Sequence, residues 1–269
     1  HYYNRLGKKN KKLVLSREGA SHGSTHLAMA MTTPAYAEGW DKADGLVHHL
    51  KCPHFWRHGN GMTEAQYMDY LLEDAKSHIE TLGSENIACF IAEPIQGAGG
   101  LIVPPEGYHV KMGELCKEYD IKYITDEVVT AFGRLGHFFA SKDVFGVQPD
   151  IITTAKGLTS GYQPLSATII SDEIHEVISG EGSMFLHGMT YSGHPAASAA
   201  ALANIDLCNS NFMFESISLI EQTSLVLHFL LWTIIFKLFD CTSFDKNLTV
   251  ILIESFELLL SLYLSLIHI

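Results

Sequence analysis

Apolar residues along this chain fall into two rhythms. Ile87-Ala88-Cys89-Phe90-Ile91-Ala92 is continuously apolar over strand length, the mark of a strand covered on both faces. Shorter β-prone runs are Leu13-Val14-Leu15, Ile121-Lys122-Tyr123-Ile124, Ile151-Ile152-Thr153-Thr154 and the stretch from Pro164 to Ile170. Between them the spacing turns helical. Tyr67, Leu71, Leu72, Ala75 and Ile79 recur at helical intervals behind Thr63, with Gln66 at capping-box distance. A second helix is expected behind Pro104-Pro105-Glu106-Gly107, carrying Val110, Met112, Leu115, Cys116 and Tyr119. Shorter helices are expected from Thr25 to Ala30, from Ser171 through Ile178, and from about Ala196. Residues 1 to 12 and the stretch from His48 to His58 read as loop. Strand and helix alternate, which predicts an α/β fold built on a mostly parallel sheet flanked by helices.

In such sheets ligands bind beyond the carboxyl ends of the strands, so the residues that end each run carry the interest. They are Glu93 with Pro94-Ile95-Gln96-Gly97, Asp126 with Glu127, and Lys156 with Gly157. A lysine at a strand end, followed by a glycine-rich turn, suits an amine meant to react with a carbonyl. Singly, each has a plainer reading: a lone lysine is more often a solvated charge, and an Asp-Glu pair a surface turn or helix start. The joint pattern changes that balance.

Thr125-Asp126-Glu127-Val128-Val129-Thr130-Ala131-Phe132-Gly133-Arg134, then Asp150-Ile151-Ile152, then Lys156-Gly157-Leu158-Thr159-Ser160-Gly161, resembles the class-III pyridoxal-phosphate aminotransferases. The lean is toward the ω-amino acid:pyruvate branch. The resemblance implies a partial large domain, a fragment of a fold type I pyridoxal-phosphate transferase, over residues 1–207, with pyridoxal 5'-phosphate as cofactor. By it, Lys156 is the Schiff-base lysine, Asp126 the partner of the pyridine nitrogen, and Val128 the residue packed against the ring. Glu93 would order the site through hydrogen bonds, and His22 with Gly23 would stand near the ring. A capping or structural histidine is an equal reading of His22. Ser21 stands where the family commonly carries an aromatic residue, which removes a stacking face. Thr190, ahead of the Ala-rich helix, would reach the cofactor phosphate of a neighbouring subunit, implying a homodimer with shared sites. The implied reaction moves an amino group from an amine donor to a keto-acid acceptor such as pyruvate. Rival readings are an aminomutase, lyase or decarboxylase of the same fold, or a non-catalytic fragment tethered to a membrane. The family's upstream Gly-Ser phosphate loop and its small domain are not expected in this chain, which would make it a poor enzyme alone.

Composition narrows the picture. With 18 Lys and Arg against 30 Asp and Glu, a formal charge of -12 argues against nucleic acid as partner. Five cysteines without a Cys-x-x-Cys pair predict a reducing, cytoplasmic setting. His48, His49, Cys52, His54 and His58 crowd together, but their spacing matches no zinc pattern. Trp56 and Arg57, in the same stretch, are weaker candidates for substrate contact. The start, His1-Tyr2-Tyr3-Asn4, has no signal peptide or initiator methionine and reads as the interior of a longer product. From about Cys208 the chain becomes rich in Leu, Ile, Phe, Ser and Asn, with no glycine, proline or arginine. Residues 208–269 are therefore expected to be a frameshift, unspliced intron or read-through, in preference to a membrane span at Leu219 to Phe239.

Overall fold

The computed structural model describes residues 1–43 and 45–209. In chain order the elements are α1 (Tyr2–Arg5), β1 (Leu13–Arg17), α2 (His26–Met31), β2 (Val47–Leu50), α3 (Phe55–His58), α4 (Glu64–Leu82), β3 (Ile87–Ala92), α5 (Tyr108–Glu118), β4 (Lys122–Asp126), α6 (Ala140–Asp143), β5 (Ile151–Thr154), β6 (Ala167–Ile170), α7 (Asp172–Ser179) and α8 (Pro195–Asn209). The tail from 210 on, including the span considered at Leu219 to Phe239, lies outside the described residues; α8 itself runs two residues past the expected boundary at 207.

Six strands form one sheet in the order β2-β1-β3-β4-β5-β6. The first five are parallel and β6 runs antiparallel on the edge. Twelve residues without a crossover helix join β5 to β6, and a parallel return needs such a helix. Leu15, Phe90 and Tyr123 are register partners across β1, β3 and β4, and they face the same side. There they meet Tyr67, Leu71, Ala75 and Ile79 of α4 and Met112, Leu115 and Cys116 of α5, all buried. The helical stripe on α4 is the one its spacing predicts. Its first turn is closed by a capping box in which Thr63 Oγ1 accepts from Gln66 N and Gln66 Oε1 accepts from Thr63 N. A cap of this kind stabilises a helix by about 1 kcal/mol.

Two stretches expected as loop are structured. Val47–Leu50 is an edge strand pairing β1, with His49 Nε2 3.2 Å from the Thr32 carbonyl. Two histidines in four residues hide its apolar pattern. The amino terminus forms α1, with Tyr3 buried. Lys11 is buried as well: its amine donates to the carbonyls of Asp120 at 2.6 Å and Ile87 at 3.2 Å, and lies 4.8 Å from the Tyr3 ring. A basic run reads as solvated in sequence, yet here one of its amines satisfies strand and turn carbonyls.

Candidate active site

Because β1, β3, β4 and β5 are parallel neighbours, their carboxyl ends lie side by side. They deliver Arg17, Glu93, Asp126 and, two residues past β5, Lys156 to one edge. Asp126 closes β4 opposite Thr153 of β5, so acid and amine come from adjacent strand ends.

The Asp126 carboxylate has two donors. His22 Nδ1 lies 2.7 Å from Oδ2, and the Val128 amide donates to Oδ1 at 3.1 Å. A carboxylate accepts, so the His22 proton is assigned to Nδ1. Both side chains are nearly sealed, at 1% and 8% exposure, and His22 Nε2 has no partner among the described residues. The His22 turn is fixed from both sides. Its own amide donates to Thr32 Oγ1, and the Thr32 hydroxyl faces the carbonyl of Gly23, a residue at φ +123°.

Glu93 braces the same turn from below. One oxygen accepts from the Ser21 amide and the other from the Gly97 amide, both at 3.2 Å. Burial pushes the Glu93 carboxyl upward, against the opposing charges of His22 and Arg17. The backbone role of Ser21 is thus independent of its side chain. Any residue but proline at 21 keeps that bond.

Glu127, one residue past β4, shares Ser141 Oγ with Thr125 two positions back, which puts its side chain on the Thr125 side and away from the Asp126 side. Its carboxylate accepts from the amides of Ala140 at 2.7 Å and Ser141 at 2.9 Å, from Thr130 Oγ1 at 3.0 Å, and from Ser141 Oγ. It caps α6 and locks the Val128–Phe139 loop. Arg17, fully buried at the end of β1, donates from one terminal nitrogen to the Glu93 carbonyl at 2.6 Å. Its other two nitrogens have no partner among the described residues, and its guanidinium carbon lies 5.7 Å from the Tyr108 ring centroid. The sequence marks Glu127 only as the neighbour of Asp126, without this role, and gives no signal for Arg17, because Ser16-Arg17-Glu18 reads as exposed.

Lys156 is exposed at the start of a single 3-10 turn, Lys156–Thr159, with φ at +40°. Gly157 sits in close approach: a Cβ there would lie 3.1 Å from Phe132 Cβ, tight enough that Phe132 would have to yield by a few tenths of an ångström. The Phe-Gly-Arg and Lys-Gly segments are therefore packed on each other. Val128 is half-buried after the Asp126 strand end.

Thr190 stands apart. It is exposed in the turn before α8, where Ser192 Oγ accepts from the Met189 amide and His194 Nδ1 accepts from the Ala197 amide. No hydrogen bond joins it to Asp126, Glu93 or His22 among the described residues. Trp56, on α3, is 92% exposed. Among the described residues no group of three or more His, Cys, Asp or Glu side chains is gathered to hold a metal.

A buried carboxylate held by two donors, at a strand end beside the one that leads to a lysine amine, fits the two reactive ends of pyridoxal phosphate, the ring nitrogen and the aldehyde. The class-III aminotransferase family model matches residues 1–226, reaching past the point where the motifs stop. Gamma aminobutyrate transaminase 1, mitochondrial, of Solanum lycopersicum is 43% identical over 226 residues, covering 82% of this chain and 44% of that protein. Putrescine–pyruvate aminotransferase of Pseudomonas aeruginosa is 41% identical, covering 81% and 47%. The crystal structure of an (S)-enantioselective ω-transaminase from Thermomicrobium roseum superposes with a TM-score of 0.76 at 43% identity, covering 80% of this chain and 47% of that one. The chain thus spans about half the length of the relatives it matches. With its parallel sheet, its strand-end acid and amine, and these likenesses, the chain belongs to the class-III aminotransferases, pyridoxal-phosphate-dependent enzymes of fold type I.

Proposed function

We propose that this chain serves the transfer of an amino group from an amine or ω-amino acid to a keto acid such as pyruvate, with pyridoxal 5'-phosphate attached at Lys156. The observation that carries the reading is the pairing of strand ends: Asp126, held by His22, beside the turn that presents Lys156. The coenzyme, when bound, supplies a carbonyl for the donor's amino group and a protonated ring that draws electrons from the donor carbon. Asp126 holds the proton on the ring nitrogen, and His22 and the Val128 amide hold Asp126. Lys156 Nζ binds the coenzyme and moves a proton at the donor carbon. Glu93 keeps the Ser21-His22 turn in place, Gly23 lets the backbone turn beside it, and Val128 flanks the ring.

Donors with a terminal primary amine are favoured by the relatives named for gamma-aminobutyrate and putrescine. Thr190 reaching a neighbouring subunit's phosphate accords with its having no hydrogen bond to Asp126, Glu93 or His22 among the described residues, and the loop around it supports a dimer. Met184, Phe185, Leu186, Met189 and Tyr191 are all exposed there, Leu186 at 86%, an apolar surface suited to burial against a second copy. The unpaired cysteines Cys52, Cys89, Cys116 and Cys208 support a reducing, cytoplasmic compartment.

The test is spectroscopic. The chain incubated with pyridoxal phosphate should gain visible absorbance and a borohydride-fixed label on Lys156, and Lys156→Ala should lose both. A mutant that keeps colour and label overturns the assignment. Product analysis with an ω-amine and pyruvate separates transamination from lyase or decarboxylase chemistry.

A further inference from the structure

The turn that presents Lys156 is backbone that ordinary residues avoid. Lys156 at φ +40° and Ser160 at φ +48° both lie in the left-handed region, and neither is glycine. Such conformations persist where surrounding contacts over-determine them. One side of the turn is held by Phe132, against which Gly157 is packed. The other side is held from α8. Asn204, buried at 7% exposure, donates from Nδ2 to the carbonyl of Gly157 at 2.8 Å and lies 3.3 Å from that of Leu158. Its Oδ1 accepts from Ser160 Oγ at 2.6 Å. Two carbonyls on one side and a hydroxyl on the other fix which way the amide points. The Gly157 carbonyl also accepts from the Ser160 amide at 3.2 Å, so Asn204 adds a second donor there and reaches the next carbonyl along, bracing the turn from a distant helix.

We propose that Asn204 is a positioning residue for Lys156: its amide locks the left-handed turn and thereby sets the direction in which the amine leaves the end of β5. This rests on Lys156 being the coenzyme's attachment point. The lock is specific in chemistry. Aspartate would turn an acceptor toward two carbonyls, and leucine would fill the space with no bond. α8 also carries the Thr190 turn at its start, so one helix ties the lysine turn to the segment proposed to serve the neighbouring subunit.

The experiment uses the full 269-residue chain incubated with pyridoxal phosphate, as parent, Asn204→Asp, Asn204→Leu and the milder Ser160→Ala. Hydrogen exchange is followed at the amides of residues 157–161, and the visible band is titrated with pH. Loss of the lock should speed exchange in the turn by about tenfold or more in both Asn204 variants, and less in Ser160→Ala, with β4 and β5 unchanged. The midpoint of the visible band should shift by about half a pH unit or more, because the lysine nitrogen is held differently. Unchanged exchange in the turn overturns the proposal, as does acceleration spread evenly over the whole sheet, or a midpoint equal to the parent's. A parent that takes up no label at Lys156 overturns the functional reading instead; exchange in the turn then decides alone whether Asn204 holds it.

Discussion

His22 Nδ1 stands 2.7 Å from Asp126 Oδ2 across 104 positions of sequence. The pair joins the loop after β1 to the end of β4, and it is the link that makes two separate motifs one site. A hydrogen bond to a buried charged group contributes about 1.5–3 kcal/mol. His22→Ala should therefore destabilise the fold by about that amount in a urea melt, and weaken pyridoxal phosphate binding by roughly tenfold to a hundredfold in an absorbance titration. Binding equal to the parent's would mean that Asp126 keeps its place without the imidazole.

Glu127 has the opposite character, since its environment is complete without any ligand. Four donors converge on its carboxylate, two of them backbone amides of α6. Glu127→Gln replaces one acceptor oxygen with a donor and leaves a buried amide unmet, at a cost of about 3 kcal/mol. Thermal melting checks the stability change, and proteolysis within 128–139 should accelerate along with it.

His109 makes stability depend on pH. Its Nε2 lies 2.9 Å from the Pro94 carbonyl, which can only accept, so Nδ1 accepts from the Tyr123 hydroxyl at 2.7 Å and the ring is neutral. Burial, aided by the Arg17 charge, pushes the imidazole down to about 3 from 6.5. Between those two values the unfolded chain binds the proton and the folded chain does not. The stabilisation is therefore whole above pH 6.5 and is lost as pH falls toward 3, with a slope of about 1.4 kcal/mol per pH unit from this one group. Urea melts at a series of pH values check it, and His109→Asn should flatten the slope by that amount.

The strands that carry the candidate site were legible because each is a short apolar run ending in a charge: Ile87–Ala92 before Glu93, Lys122–Asp126, and Ile151–Thr154 before Lys156. Helices α4 and α5 were legible by their stripes. The edge strand β2 was not, because only Leu50 of its four residues is fully buried and two of the other three are histidines. Long-range polar contacts were the other gap. Nothing local marks Arg17 as buried, His22 as bonded to Asp126, or Asn204 as bonded to the Lys156 turn; each depends on which strand ends become neighbours. The motif resemblance named His22 and Asp126 but not their contact, which supplies a physical reason for both.

The left-handed backbone at Lys156 has a cost of its own. Glycine would occupy φ +40° with less strain than any residue bearing a Cβ, by about 1 kcal/mol. Lys156→Gly should thus melt above Lys156→Ala by about that margin, both being unable to hold the coenzyme. The most stable occupant of position 156 is one that cannot react, so improving the fold at this site and keeping its chemistry pull against each other.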